Sequence, residues 1–534
     1  MGSINSQARE IEEISEGAIW NTADGDVTLT SAAKLNSKAT DGTAYEEHVP
    51  VKSQSIKSVN ITIGMFFDGT MNNRTNTDQR TGTKEHPGPT KYYQHTDSYD
   101  NDYSNVARME PYYTEQDKDN NHRFSIYIEG IGTRNLGNDS SSVTDHDGGA
   151  MGAGSTGIRG KVYNGCKKIE EYISKKVKVK YIDTLTFDVF GFSRGAAAAR
   201  NFIYEATRAD TIDDDLGDSN ADGGDQFYVT LTAHNPGYGY LGYFLRDKGY
   251  DIGKVVIRFI GLFESVSSYS PHTIKNTDFD DDVAELHLDA VNKAARIIHL
   301  TAADEHRKNF SLTNIYSAGS KGTTLVFPGV HSDIGGSYPD NLNEVVEELA
   351  KGSEKELKEL KGWLVGQGWY KDKELTFYND WGKEMRGTRT LYQHYSYIFL
   401  HMMGKFSVNT TGGVLIQDQI EMKYKIAEHP LIEWFKKRLY QYAFGDRAKP
   451  VVFKYYQQLH DQYKNAHTQA ERNAYQAELN EQANLRMLRN RYLHWSSNTD
   501  GSVTPNEPRL VDGKYEREII DDRIIVKHKN GTYR

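Results

Sequence analysis

An α/β fold built on a mostly parallel sheet is predicted by three observations on this 534-residue chain. Six short apolar runs, rich in Val, Ile and Phe, are separated mostly by helix-length segments, as in a parallel sheet with helices on both faces. Each run stops at a polar or Gly-containing cluster, as strands do where they enter loops. One of them, within Asp183–Asn201 (DTLTFDVFGFSRGAAAARN), turns through G-x-S-x-G straight into a small-residue helix.

Taken in order, residues 1–55 are polar and aperiodic and read as an extended or loosely packed leader. Order is expected from Ser58, where VNITIGMFFDGT is β-prone and stops sharply at Asp68-Gly69-Thr70. Arg123–Glu129 (RFSIYIE) is the second strand, ending at Gly130 and Gly132. Gly152, Gly154 and Gly157 fit G-x-G-x-x-G, but a dinucleotide fingerprint needs a strand directly before it, and NDSSSVTDHDGGAM is loop. These glycines therefore read as a flexible loop ahead of a helix from about Ile158 to Lys175. The third strand leads to Ser193.

A long insertion rich in Asp, Gly and Tyr follows, about 208–254, and its place beside a nucleophile suggests a lid or substrate gate. Inside it Asp218, Asn220, Asp222 and Gly223 copy the first half of a calcium loop, whose twelfth position is Val229 in place of the bidentate Glu. A solvated acidic loop is the expectation there, with a structural Ca²⁺ as the alternative. The last three strands are Val255–Phe263, Ala295–Thr301 and Thr323–Phe327, which close a domain over 56–340. Beyond Pro339 the pattern turns helical, over Asn341–Trp363, Leu391–Phe406, Pro430–Phe444 and Val452 to about Tyr492, so 341–534 reads as a mainly helical region with a short β tail near Ile519–Lys527. Leu391–Phe406, dense in aromatics and Met, reads as buried packing in preference to a lipid-facing surface.

The chemistry is expected at Ser193. Gly191 and Gly195 remove side chains that clash where a strand folds back into a helix, and Ala196–Ala199 let that helix lie close to the sheet. The hydroxyl then stands at the C-terminal edge of the sheet, and the Arg194 N–H sits at a helix N-terminus where it can stabilise an oxyanion. This is the elbow of an α/β-hydrolase-type fold. A serine nucleophile needs a histidine base and an acid behind it, both from the ends of later strands. His331, in VFPGVHSDIGGSY after the last strand, is the expected base, with His306 in reserve and His299 read as a core residue of its strand. Glu264, directly after VVIRFIGLF, is the first candidate acid and Asp304 the alternative, whereas Asp333 shapes the His331 loop. A second oxyanion donor is expected from Gly69 or Thr70, with Asp68 fixing that turn by accepting backbone hydrogen bonds.

Composition narrows the partners. A net charge of −10 argues against nucleic acid, whose phosphates require clustered basic surface. The single cysteine, Cys166, allows no internal disulfide and fits synthesis in a reducing cytoplasm. With a mean hydropathy of −0.70, no run of 18 apolar residues and no apolar stretch near Met1, neither a membrane span nor a signal peptide is expected, so any export takes another route. A serine triad requires no cofactor.

The segments FFDGTMNN, YIEGIGT, FDVFGFSRGAAAAR, FIGLFESV, TAADEHRKNF and FPGVHSDIGGSY, in this order, resemble the α/β-hydrolase domain of type VI secretion phospholipase effectors of the first lipase-effector (Tle) class. The resemblance spans about Val59–Asp340, and the tail RYLHWSS…VDGKYEREIID is similar to the end of those effectors. It implies Ser193 as nucleophile, Glu264 at the acid of the family's D-[TS]-V motif, where Asp is usual, and His331 at the histidine of G-V-H-S-D. It further implies phospholipase A action on membrane glycerophospholipids, carriage on a VgrG spike from a Gram-negative cytoplasm into a competitor's periplasm, and a cognate immunity protein. Two other readings stand beside it: another acyl esterase or thioesterase, and a non-catalytic binding module of a secretion spike.

Overall fold

In strand β1 (Ser58–Phe67) side chains point alternately to two buried layers: Ile61, Ile63, Met65 and Phe67 into one, Phe66 into the other. Burial on both faces is why this run is continuously apolar. The computed structural model describes residues 57–83, 86–118, 120–139, 152–209, 237–268, 282–378, 384–445, 449–499 and 506–523. The leader 1–55 lies outside them, and the chain from Ser58 onward forms one compact unit.

Six further strands complete the central sheet or lie beside it: β2 (Gln116–Lys118), β3 (Asn121–Ile128), β4 (Tyr181–Phe192), β5 (Asp251–Phe263), β6 (Arg296–Ala302) and, beyond the two-residue β7 (Leu312–Thr313), β8 (Gly322–Phe327). The order is β2-β3-β1-β4-β5-β6-β8, with every pair parallel except β2 against β3. All six strands read from the sequence are present, and β2 adds an antiparallel edge.

Helices α1 (Ile158–Lys176), α2 (Arg194–Thr207) and α3 (Gly239–Asp247) cover one face through Val162, Cys166, Ile169, Phe202, Ile203, Leu241 and Leu245. Gly157 caps α1, and the loop before it is closed by its own hydrogen bonds, Gly157 N–H to Gly154 O and Ile158 N–H to Gly152 O. After the short helix α4 (His331–Gly335), the chain builds the second face: α5 (Glu354–Gln367), α6 (Tyr395–Thr411), α7 (Pro430–Phe444) and α8 (Gln469–Arg491). Tyr395, Ile398, Phe399, Leu400, Met402 and Met403 of α6 are buried, in line with the packing role expected for this aromatic segment. Helices α5–α8 therefore form a second layer on the same sheet.

A small second sheet differs from expectation. Residues 342–351, read as the start of a helix, form strand β9 (Leu342–Lys351) of a three-stranded antiparallel sheet in the order β10-β11-β9, with β10 (Leu375–Tyr378) and β11 (Glu384–Leu391). The misleading signal is physical: the inward positions include Glu344 and Glu348, and glutamates favour helices in isolation. Glu344 is buried because Arg389, directly opposite on β11, donates Nε–H to its Oε2 at 2.6 Å.

The calcium-loop residues Asp218, Asn220 and Asp222 lie outside the described residues, as does 210–236 of the expected lid. The described part, 237–254, is α3 and the start of β5. The Tyr238 N–H donates to Arg208 O at 2.9 Å, so residues 208 and 238 of the insertion meet at the C-terminus of α2. That point is one 14-residue helix from Ser193, about 20 Å at 1.5 Å per residue.

Candidate active site

The parallel register brings the C-terminal ends of four strands together: Phe192 pairs with Phe263, Phe263 with Leu300, and Ala302 with Phe327. Ser193 and Glu264 each follow such an end by one residue, tied by Ser193 N–H to Phe263 O (3.1 Å) and Glu264 N–H to Leu300 O (3.0 Å). Both have positive φ, 58° and 53°, a conformation that costs a non-glycine residue of order 1–3 kcal/mol and collects at functional sites. The turn at Ser193 is possible because Gly195 packs on β1: a Cβ there falls 2.1 Å from Asp68 O.

His331 opens α4 with its ring between Phe192, 4.8 Å away centre to centre, and Phe310, 5.0 Å away. Phe192 is the residue before Ser193, so the imidazole is packed against the elbow itself. Nδ1 lies 3.0 Å from Glu264 Oε2. A carboxylate only accepts, so Nδ1 carries the proton and Nε2 the lone pair. Nε2 is buried and has no hydrogen-bond partner among the described residues. Burial pushes the imidazole pKa down, against the pull of Glu264, which keeps the ring neutral and basic at neutral pH.

Glu264 is fully buried, which by itself raises a carboxyl pKa; Arg517 and then His331 outweigh this and hold it at about 2. Its Oε1 accepts from Ala302 N–H (2.5 Å) and Arg517 Nη1 (2.9 Å), and Oε2 faces Arg517 Nη2 at 2.7 Å as well as His331. Behind His331, its own N–H donates to Glu305 Oε2 (3.2 Å), and Arg307 holds Glu305 with contacts of 2.9–3.0 Å.

The alternatives are placed elsewhere. Asp304 pairs with Arg489 (2.9 Å) and accepts from Gly329 N–H (2.7 Å). His306 is bonded to Asp304 O and Ser497 Oγ and packs on Trp495 and Tyr515. His299 is buried in β6, its Nε2 accepting from Ser265 N–H, and burial drops its pKa to about 3, as suits a neutral core residue. Asp333 accepts from Val330 N–H and from His494 Nδ1 (2.7 Å), shaping the loop around His331.

On the oxyanion side, Arg194 starts α2 and its Nε–H donates to Thr70 Oγ1 at 2.8 Å, which joins the two candidate donors. Gly69 N–H is consumed by Asp68 Oδ1 (2.7 Å), a carboxylate also held by Ser104 and Tyr127, so Gly69 supplies no donor in this geometry. Thr70 N–H donates to nothing among the described residues. Of the two expected positions the structure leaves Thr70.

Sequence reasoning missed Arg517, Arg307 and Glu305. Arg517 lies 253 positions from its partner, and only the tail motif containing YEREIID marked the segment. Among the described residues no group of three or more His, Cys, Asp or Glu is arranged to hold a metal ion, and no helix is long and apolar enough to cross a membrane.

Residues 62–206 and 245–357 match the family described as the type VI secretion system (T6SS) Tle1-like phospholipase effector, catalytic domain. These stretches contain Ser193, Glu264 and His331 and stop well before Arg517. Among solved structures, the Tle1 effector bound to the VgrG spike from the type 6 secretion system is similar, with 18% identity, a TM-score of 0.50, and coverage of 91% of this chain and 98% of that one. An uncharacterized protein from Pseudomonas aeruginosa has 18% identity and a TM-score of 0.35, covering 83% of this chain and 65% of that one. No curated protein matches.

Proposed function

The chain belongs to the Tle1-like phospholipase effectors of type VI secretion, and from that premise we propose that it is a phospholipase A that cleaves acyl esters of membrane glycerophospholipids with Ser193, His331 and Glu264. The observation that carries this reading is the buried His331–Glu264 pair, 3.0 Å apart, whose unpaired Nε2 belongs to a ring packed on the residue before Ser193.

His331 Nε2 takes the Ser193 proton as Oγ attacks the ester carbonyl, and Glu264 stabilises the imidazolium through Nδ1–H. The tetrahedral oxyanion falls to the N–H groups of Arg194 and Thr70. As the intermediate collapses, the imidazolium protonates the departing lysolipid alcohol and leaves an acyl-Ser193. Water, deprotonated by the same Nε2, then releases the fatty acid. Delivery on a VgrG spike into a competitor's periplasm, and neutralisation by an immunity protein, extend the proposal to the protein's setting.

The test is fatty-acid release from phospholipid vesicles by the wild type and by Ser193→Ala. Release that vanishes with Ser193→Ala and grows with acyl chain length supports a lipase over a short-chain esterase. Release that survives the substitution, or none from the wild type, defeats the proposal and favours a spike-binding module.

A further inference from the structure

The carboxylate facing His331 has a second ligand from the far end of the chain. Arg517 lies between β13 (Lys514–Tyr515), which pairs with β12 (Leu510–Val511), and β14 (Ile519–Ile520). Its guanidinium meets both oxygens of Glu264, Nη1 on Oε1 at 2.9 Å and Nη2 by Oε2 at 2.7 Å, while Nε–H donates to Phe310 O at 3.0 Å. Phe310 is itself the residue whose ring packs on His331. The planar fork thus touches the acid and the wall of the base at once, a geometry that lysine cannot copy.

The strap carrying Arg517 is fastened on the side nearer the C-terminus. β14 runs parallel to β7, and Asp522 forms a fully buried ion pair with Arg200 of α2 at 2.8 Å while accepting from Ser317 N–H. Arg200 also donates to Ser265 Oγ, next to Glu264. Glutamate has one more rotatable bond than aspartate, so its carboxylate needs more restraint to stay on the histidine.

We propose that Arg517 is a positioning residue for Glu264, holding the carboxylate aimed at His331 Nδ1, so that the C-terminal strap completes the catalytic site. The inference rests on the reading of Ser193, His331 and Glu264 as the reacting triad. The charged and titratable groups around the pair are Arg517 on one side, Arg307 and Glu305 behind His331, and Arg200 with the neutral His299 beneath Ser265. A cation in this set stabilises ionised Glu264 and opposes the imidazolium, so its removal moves both titrations to higher pH.

The test uses the full chain, with kcat and KM for fatty-acid release from phosphatidylethanolamine–phosphatidylglycerol vesicles measured across pH for wild type, Arg517→Gln and Arg517→Lys. Arg517→Gln is expected to lower kcat roughly 10²-fold, as displaced catalytic groups do, and to move the acid limb of kcat/KM up by about one pH unit. Arg517→Lys keeps the charge and loses the fork, so the limb stays and kcat falls roughly 10-fold with KM unchanged. An unmoved limb in a folded Arg517→Gln overturns the proposal, because a merely structural residue gives that result. Where Arg517→Gln does not fold, Arg517→Lys decides, and wild-type kcat there overturns it. Release that survives Ser193→Ala defeats the functional reading itself; Ser193-dependent release with an unmoved limb defeats only the role of Arg517.

Discussion

Replacing Gly195 by alanine tests whether the elbow is built as described. A Cβ at this position sits 2.1 Å from Asp68 O and 2.6 Å from both Asp68 C and Phe67 O, all backbone atoms that no rotamer change can move. Reaching 3.0 Å, below which real Cβ contacts essentially do not occur, requires a relative shift of about 0.9 Å between α2 and the end of β1. Both sides carry the candidate site: α2 begins at Arg194, directly after Ser193, and the turn after β1 holds Thr70. A displacement of that size costs on the order of 10²-fold in kcat, and overpacking costs about 1–3 kcal/mol of stability. The assay is initial-rate fatty-acid release with urea unfolding in parallel, against Gly362→Ala as control. Gly362 lies within α5, where an added Cβ meets nothing within 4 Å, so that variant is expected to gain about 0.5–1 kcal/mol and keep its rate. Wild-type kcat and stability in Gly195→Ala refute the close approach and the elbow argument built on it.

Other outcomes follow from the same geometry. Glu264→Gln is expected to lower kcat/KM by roughly 10²–10⁴-fold, whereas Asp304→Asn, which loosens the contacts to Arg489 and Gly329, lowers stability more than rate; steady-state kinetics of the pair reverses the acid assignment if Asp304→Asn is the slower enzyme. Asp522→Ala leaves Arg200 charged and unpaired in the core and is expected to cost about 3–5 kcal/mol by urea unfolding, and a loss under about 1 kcal/mol contradicts the buried pair. His299 has its pKa depressed by burial from 6.5 to about 3, so the unfolded chain binds the extra proton in that window and stability falls as pH drops through it. The slope from this one site approaches about 1.4 kcal/mol per pH unit, and His299→Leu is expected to flatten the unfolding curve measured between those pH values.

The strands were legible because the central ones, β1, β4, β5 and β6, are buried on both faces toward their C-terminal ends, which turns a parallel strand into an unbroken apolar run such as FIGLF. Glu264 was legible for a related reason, since a group one residue beyond a strand end has its place set by the sheet. Strand β9 was hidden because its inward positions include glutamates, and only the partner strand, with Arg389, makes them strand-like. The Gly69 donor was lost to a local effect: Asp68 turns its own carboxylate onto the next N–H, a habit of Asp-Gly turns that favours Thr70. Arg517 had no local signal at all. Its role exists only once the chain has folded back across the sheet to reach Glu264.

The charges around His331 explain why so distant a residue matters. Glu264 with Arg517 and Glu305 with Arg307 are two buried ion pairs on different sides of a neutral imidazole, so these four groups sum to zero. In the proposed reaction, proton transfer from Ser193 creates an imidazolium and an oxyanion together, another neutral pair, and dipoles already fixed in place need no reorganisation to meet it. Remove the Arg517 charge and the same enclosure holds a net negative one. Such a pocket stabilises His331 in its protonated form before substrate arrives, and a protonated Nε2 has no lone pair with which to take the Ser193 proton. On this argument the guanidinium acts less by strengthening Glu264 as a partner than by restraining it, leaving the histidine free to be a base.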